Sequence, residues 1–103
     1  MKQKHIILSA CLIIASQGFA QSWPTAAPEA KPGARWWWLG SAVNEKDLRW
    51  NMQEYAKAGI GSLEITPLYG VQGNASNELQ FLSTPWMNAL RFVQEEGAKN
   101  GIL

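Results

Sequence analysis

This chain has little cysteine, little histidine and little net charge, and each shortage excludes a class of function. Its 103 residues include one cysteine and one histidine, and the formal net charge is +1. Both single residues, His5 and Cys11, fall within residues 1–20. If that segment is removed, no disulfide, thiol nucleophile, imidazole base or zinc-binding Cys/His cluster is available to the remainder. The near-neutral charge predicts no nucleic-acid partner.

The chain also has no glycine-rich phosphate loop. Gly59 and Gly61 precede a predicted strand instead of opening a helix, which argues against a nucleotide site. Tryptophan, by contrast, is abundant, with six in 103 residues. Aromatic side chains are core material and are also the usual platform for sugar rings, so composition alone leaves both uses open.

Residues 1–20 have the features of a secretory signal peptide. Lys2 and Lys4 form a basic start, residues 6–15 are an apolar run, and small residues lead up to Ala20. We therefore expect an exported bacterial protein, periplasmic or extracellular. The run is shorter than the about 20 residues of a membrane span, so no membrane crossing is predicted. Lipid anchoring at Cys11 is an alternative, against which the short spacing from the charged start argues.

Proline spacing and an apolar run mark the start of the folded domain. Residues 21–33 have prolines at intervals of four and are predicted to be a linker, so the domain covers residues 34–103. The bulky run from Arg35 to Leu39 predicts a strand covered on both faces, as in parallel sheets. Asn44 as N-cap and Gly59 as stop predict a helix between them.

A second strand and a second helix follow. Residues 61–66 predict a strand that Pro67 ends, and residues 68–82 predict a long polar loop of the kind that is usually functional. Thr84 is the predicted N-cap of a helix that Gly101 closes. Ile102 and Leu103 then begin what is predicted to be a third strand.

The alternation of strand and helix predicts an α/β fold. We expect the first two β/α units of a (β/α)8 TIM-type barrel, truncated at the start of the third strand, because eight such units need about 250 residues. The chain is then the amino-terminal part of a larger protein. A complete small βαβ module is the alternative.

Three residues near the predicted strand ends are candidate substrate-binding residues. Trp38 is nearest the open end of the first strand and is placed to stack on a sugar ring. Glu64 lies within an apolar strand, where a carboxylate needs a partner, so substrate contact and a structural ion pair both remain open. Tyr69 follows Pro67 in the loop and is placed to offer its hydroxyl. The other carboxylates are predicted on solvated faces.

Several spaced blocks resemble the amino-terminal segment of glycoside hydrolase family 106, the α-L-rhamnosidases and related proteins. The blocks are RWWW (35–38), GSAV (40–43), AGIG (58–61), LEI (63–65), YG (69–70), FLS (81–83) and PW (85–86). The resemblance implies a secreted enzyme that removes terminal α-linked rhamnose from plant polysaccharide side chains with inversion, using two carboxylates about 6.5 to 9.5 Å apart.

In that family the two carboxylates come from later strands, so this chain alone is expected to be inactive, with no catalytic residue of its own. The resemblance allows calcium as a cofactor, but the sequence identifies no metal ligands. The partner is expected to be a glycan. A non-catalytic carbohydrate-binding or surface protein is the alternative from another class, and another barrel hydrolase with a different sugar specificity is a third.

Overall fold

The computed structural model describes residues 22–103, which form a two-stranded parallel sheet with two helices on one face. The order is β1 (Gly33–Leu39), α1 (Glu45–Lys57), β2 (Ser62–Leu68) and α2 (Thr84–Asn100), with short 3-10 helices at Pro28–Ala30 and Ala75–Asn77. The order of elements and the parallel pairing agree with the sequence-based prediction. The predicted signal peptide and Cys11 lie outside the described residues.

The prediction of two units of a TIM-type barrel is wrong. The described residues hold two α-helices and a single two-stranded sheet, which are too few elements for part of a barrel. Strand and helix alternate in every α/β protein, so the alternation does not fix the number of strands. Ile102 and Leu103 form no strand, although the Leu103 N–H donates to the Gly61 carbonyl and the Leu103 carbonyl accepts from the Leu63 N–H.

The strand register places one face of the sheet against the helices. Trp36 lies opposite Ile65, and Trp38 lies opposite Pro67, so these four side chains share a face. Trp37 points to the other face and is exposed. The prediction that β1 is covered on both faces is therefore wrong for the described residues, because both helices pack on the Trp36 side.

The core on that face is built around tryptophan. Trp38, Leu48 and Met52 are the largest fully buried side chains. The Trp38 ring meets Trp36 and Trp86 in edge-to-face contacts, with ring centroids 5.9 and 6.2 Å apart. Each such contact adds about 0.5–1.5 kcal/mol to the gain from burial, so the aromatic contacts join β1 directly to α2.

Side-chain caps fix where the helices begin. The Asn44 side chain accepts from the Asp47 N–H at 3.0 Å and caps α1, as predicted. The cap of α2 is Ser83, whose hydroxyl accepts from the Trp86 N–H at 3.4 Å. The sequence predicts Thr84 as the N-cap, one residue too late. Ser83 and Thr84 are both favourable N-cap residues, so the sequence alone does not distinguish them. Gly101 ends α2 in the left-handed region, as predicted.

β2 continues through Pro67, where the sequence predicts its end. Neighbouring residues of a strand direct their backbone groups to opposite edges. The Leu63 N–H points away from β1, toward Leu103, and Pro67 lies four residues later on the same edge. Its missing N–H is therefore on the edge that does not pair with β1, and the ladder loses nothing.

The predicted linker packs against the sheet from Pro28 onward. The Gly61 N–H donates to the Pro32 carbonyl at 2.9 Å. A Cβ at position 61 would overlap the Pro28 carbonyl, so this approach requires glycine. Within residues 22–103, neither helix combines the length and the apolar character needed to cross a bilayer.

Glu96 is a buried carboxylate held between the two helices. Its oxygens lie 2.8 Å from Lys99 Nζ and 3.5 Å from Arg49 Nε. The hydrogen bond from Lys99 lowers the pKa of Glu96, burial opposes that shift, and the charges of Lys99 and Arg49 reinforce it. The sequence predicts a solvated carboxylate here, so the ion pair with α1 is a feature of tertiary packing.

We expect Met52→Ala to destabilise the fold by about 2–5 kcal/mol, because it leaves a cavity in the core. Met52 is 1% exposed, whereas Met87 is 42% exposed on α2 and provides a matched control. Met87→Ala is expected to change the free energy of unfolding by no more than about 0.5 kcal/mol. Urea unfolding followed by tryptophan fluorescence measures both, and equal effects of the two variants would contradict the assigned core.

Glu96→Gln is expected to destabilise the fold at neutral pH and to have less effect in acid. A folded-state pKa below the unfolded value gives stability that is present above about pH 4.3 and is lost as the pH falls through the folded pKa. Unfolding of wild type and variant, measured from about pH 6 to about pH 3, should show the difference shrinking. Glu95→Gln is the control, since Glu95 forms none of the ion pairs of the described residues.

Candidate functional site

An open cleft lies at the carboxyl ends of both strands, where parallel sheets of α/β proteins bind their ligands. Its volume is about 480 Å³. The lining comes from the residues that follow β1, the end of β2, and the loop that returns toward α2: Gly40, Ser41, Pro67, Leu68, Tyr69, Gly70, Glu78, Leu79, Gln80 and Phe81.

Gly40 joins the three segments that build this cleft. Its N–H is shared between the Leu68 and Tyr69 carbonyls, each at 3.0 Å. Its own carbonyl accepts from the Leu79 N–H at 3.2 Å. The loop after β2 is therefore bound back onto the end of β1, and the residues beside Leu79 are held over the strand ends.

The carboxylate of Glu78 lies between two glycines at the strand ends. A Cβ at Gly40 would lie 2.6 Å from the Glu78 Cγ, and a Cβ at Gly70 would overlap the carboxylate itself. Gly40 also has a φ of +59°, which favours glycine. None of the ion pairs among residues 22–103 includes Glu78, so its charge is available to a ligand.

Two strained residues frame the cleft. Ser41 and Leu82 have φ values of +48° and +62° although neither is glycine. Ser41 is held there by its buried hydroxyl, which accepts from Trp86 Nε1 at 3.0 Å. Strain of this kind costs about 1–3 kcal/mol per residue and clusters at functional sites. Its position beside the cleft supports a functional role for the strand ends.

Aromatic rings supply the apolar part of the cleft. Tyr69 is 84% exposed, and Phe81 is 58% exposed. The Phe81 ring packs edge to face on Trp86, with centroids 4.9 Å apart, so it is held in place while much of its surface faces solvent. Aromatic rings, a carboxylate and the Gln80 amide therefore lie together in the lining of the cleft.

Of the three predicted substrate-binding residues, Tyr69 lies in the cleft and Trp38 lies in the core. Trp38 is 1% exposed, and its ring packs against Trp36 and Trp86. Its Nε1 has no hydrogen-bond partner among the described residues. The structure therefore gives Trp38 the core role, because side chains alternate along β1 and it shares the helix-covered face with Trp36.

Glu64 lies on the open face of the sheet, away from the cleft. Its carboxylate pairs with Arg35 Nε at 3.1 Å, and both side chains are largely exposed. The two line a shallow groove with Gly33, Ala34 and Ser62, toward the amino ends of the strands. The sequence predicts Glu64 to be a buried carboxylate, whereas the structure shows a solvent-exposed ion pair, and such a pair contributes no more than about 1 kcal/mol.

The sequence predicts a functional loop over residues 68–82 but does not single out Glu78, Gln80 or Phe81 within it. Glu78 was predicted on a solvated face because it lies in a polar loop, and it is exposed as predicted, but its side chain also lies against the strand-end glycines. The available signal was a glycine shortly after each strand, Gly40 and Gly70, since such positions often admit a close approach. Among residues 22–103, no three His, Cys, Asp or Glu side chains converge as metal ligands.

No protein-family model, curated protein or solved structure matches this chain. The resemblance to family 106 therefore stays a prediction.

Gly70→Ala is expected to displace the Glu78 carboxylate from the strand ends with little loss of stability. The atoms that the new methyl group meets are the far end of a flexible side chain, which can turn toward solvent at a cost of about 0.5 kcal/mol. NMR spectra should show shifted Glu78 side-chain and Gly40 amide signals. The double variant Gly70→Ala/Glu78→Ala removes the overlap, and an unchanged Glu78 signal in the single variant would contradict the geometry.

Proposed function

We propose that this chain binds carbohydrate, with one sugar ring held in the cleft at the strand ends. The observation that carries the proposal is the Glu78 carboxylate, which is seated between Gly40 and Gly70 beside exposed aromatic rings. A glycan partner was also expected from the sequence.

The chemistry of the cleft matches that of a sugar. A pyranose ring has an apolar face of C–H groups that packs on an aromatic ring, and hydroxyls around its edge that donate hydrogen bonds. Phe81 and Tyr69 supply the rings, and Glu78 supplies an anionic acceptor, which makes stronger hydrogen bonds than a neutral one. The Gln80 amide and the Tyr69 hydroxyl add neutral donors and acceptors.

Glycoside hydrolysis, with an α-L-rhamnosidase specificity, is the second candidate function. It is supported by the resemblance to family 106, which implies that the two catalytic carboxylates come from later strands. An inverting enzyme needs a second carboxylate about 6.5–9.5 Å from the first. Glu78 is the only carboxylate among the described residues that line the cleft, so they support binding better than hydrolysis. Export, as residues 1–20 predict, suits either function.

Phe81→Ala is expected to weaken sugar binding about two- to twelvefold, which corresponds to an aromatic contact of about 0.5–1.5 kcal/mol. NMR titration of the whole chain with a neutral methyl glycoside measures the dissociation constant. Trp50→Ala is the matched control, since Trp50 is 59% exposed, as Phe81 is 58%, but lies on α1 and does not line the cleft. Failure of the wild-type chain to shift any cleft resonance would contradict the proposed function.

A further inference from the structure

We propose that Glu78 makes the cleft selective for neutral sugars over sugars that bear a carboxylate. This inference rests on the proposed function and names the class of sugar that the same site accepts. It starts from the charges of the cleft: among the described residues that line it, Glu78 is the only acidic or basic side chain other than the Tyr69 phenol.

No lining residue offsets the charge of Glu78. Ser41 and Gln80 are polar but neutral, and the remaining residues of the lining are apolar or glycine apart from Tyr69. Arg35, the cation on β1, is already paired with Glu64. It lies five residues before Gly40, or about 16 Å along the strand. At that distance the Arg35–Glu64 pair presents no net charge to the cleft, so Arg35 does not neutralise Glu78.

The contacts of Glu78 hold its carboxylate at the strand ends, within the lining of the cleft. The side chain lies against Gly40 and Gly70 because neither has a Cβ, and the loop that carries it is bound to Gly40 through Leu79. Hydroxyl groups of a neutral sugar donate to this carboxylate. The carboxylate of a uronic acid has no proton to donate at neutral pH, and it is repelled.

The size of the preference follows from the charges. Two unit charges about 5 Å apart at the edge of a protein repel enough to weaken binding about fivefold or more. Salt reduces this effect, because the cleft is open to solvent. We therefore expect the wild-type chain to bind methyl galactoside at least about fivefold more tightly than methyl galacturonide at low salt and neutral pH.

The test compares these two ligands, which differ at one carbon, by NMR titration of the whole chain and two variants. Glu78→Gln keeps the size and an oxygen acceptor but removes the charge, so the preference should fall toward equality. Glu95→Gln makes the same change of net charge on the exposed surface of α2 and should leave the preference intact. Circular dichroism checks that each variant is folded.

The outcomes separate this inference from the proposed function. Equal binding of both ligands by the wild-type chain would overturn the selectivity and leave carbohydrate binding standing, whereas binding of neither would overturn carbohydrate binding itself. An equal loss of preference in both variants would show that net charge, and not Glu78, is responsible. If Glu78→Gln does not fold, the wild-type preference must still fall toward equality in about 1 M salt, where the screening length is about 3 Å, and a salt-independent preference would overturn the inference.

Discussion

The parallel pairing of β1 with β2 is the constraint on which the rest of the structure depends. Parallel strands cannot be joined by a tight turn, so the chain must cross over through a helix, which α1 supplies. The pairing also brings the carboxyl ends of both strands to one edge of the sheet, with Leu39 opposite Leu68. Gly40 and Tyr69, the residues that follow the two strands, therefore lie side by side. The cleft forms between the segments that begin at these two residues.

Trp86 connects the core to the residues that line the cleft. Its ring packs on Trp38 in the core and on Phe81 at the cleft. Its Nε1 donates a hydrogen bond to the hydroxyl of Ser41, which has a positive φ. A shift of register by one residue would move Trp36 and Trp38 to the open face. The contacts to Trp86 would then be lost, so the sheet register fixes the geometry of the cleft as well as the packing of the core.

Local signals were enough to predict the elements but not their number or their environment. Asn44 and Gly101 act through their own backbone neighbours, and both were predicted correctly. The prediction that Pro67 ends β2 was wrong. A proline interrupts a strand only if its nitrogen faces the paired edge, and which edge is paired depends on β1, far away in sequence. The prediction that β1 is covered on both faces was wrong because the elements that cover a strand also lie far along the chain. The prediction of a barrel was wrong because the alternation of strand and helix does not fix the number of strands.

The site itself was the part least open to prediction, because the role of a carboxylate depends on what neutralises it. Glu64 was predicted as a candidate substrate-binding residue because its neighbours in sequence are apolar, but it pairs with Arg35 on the open face of the sheet. Glu96 was expected to be solvated, but Lys99 and Arg49 hold it between the helices.

Glu78 has no such cation among the described residues, and two glycines allow it to reach the strand ends. Glu64 and Glu96 are thus neutralised by cations of the described chain. Glu78 contributes to no ion pair within the described chain, and it is the one carboxylate of the described residues that lines the cleft.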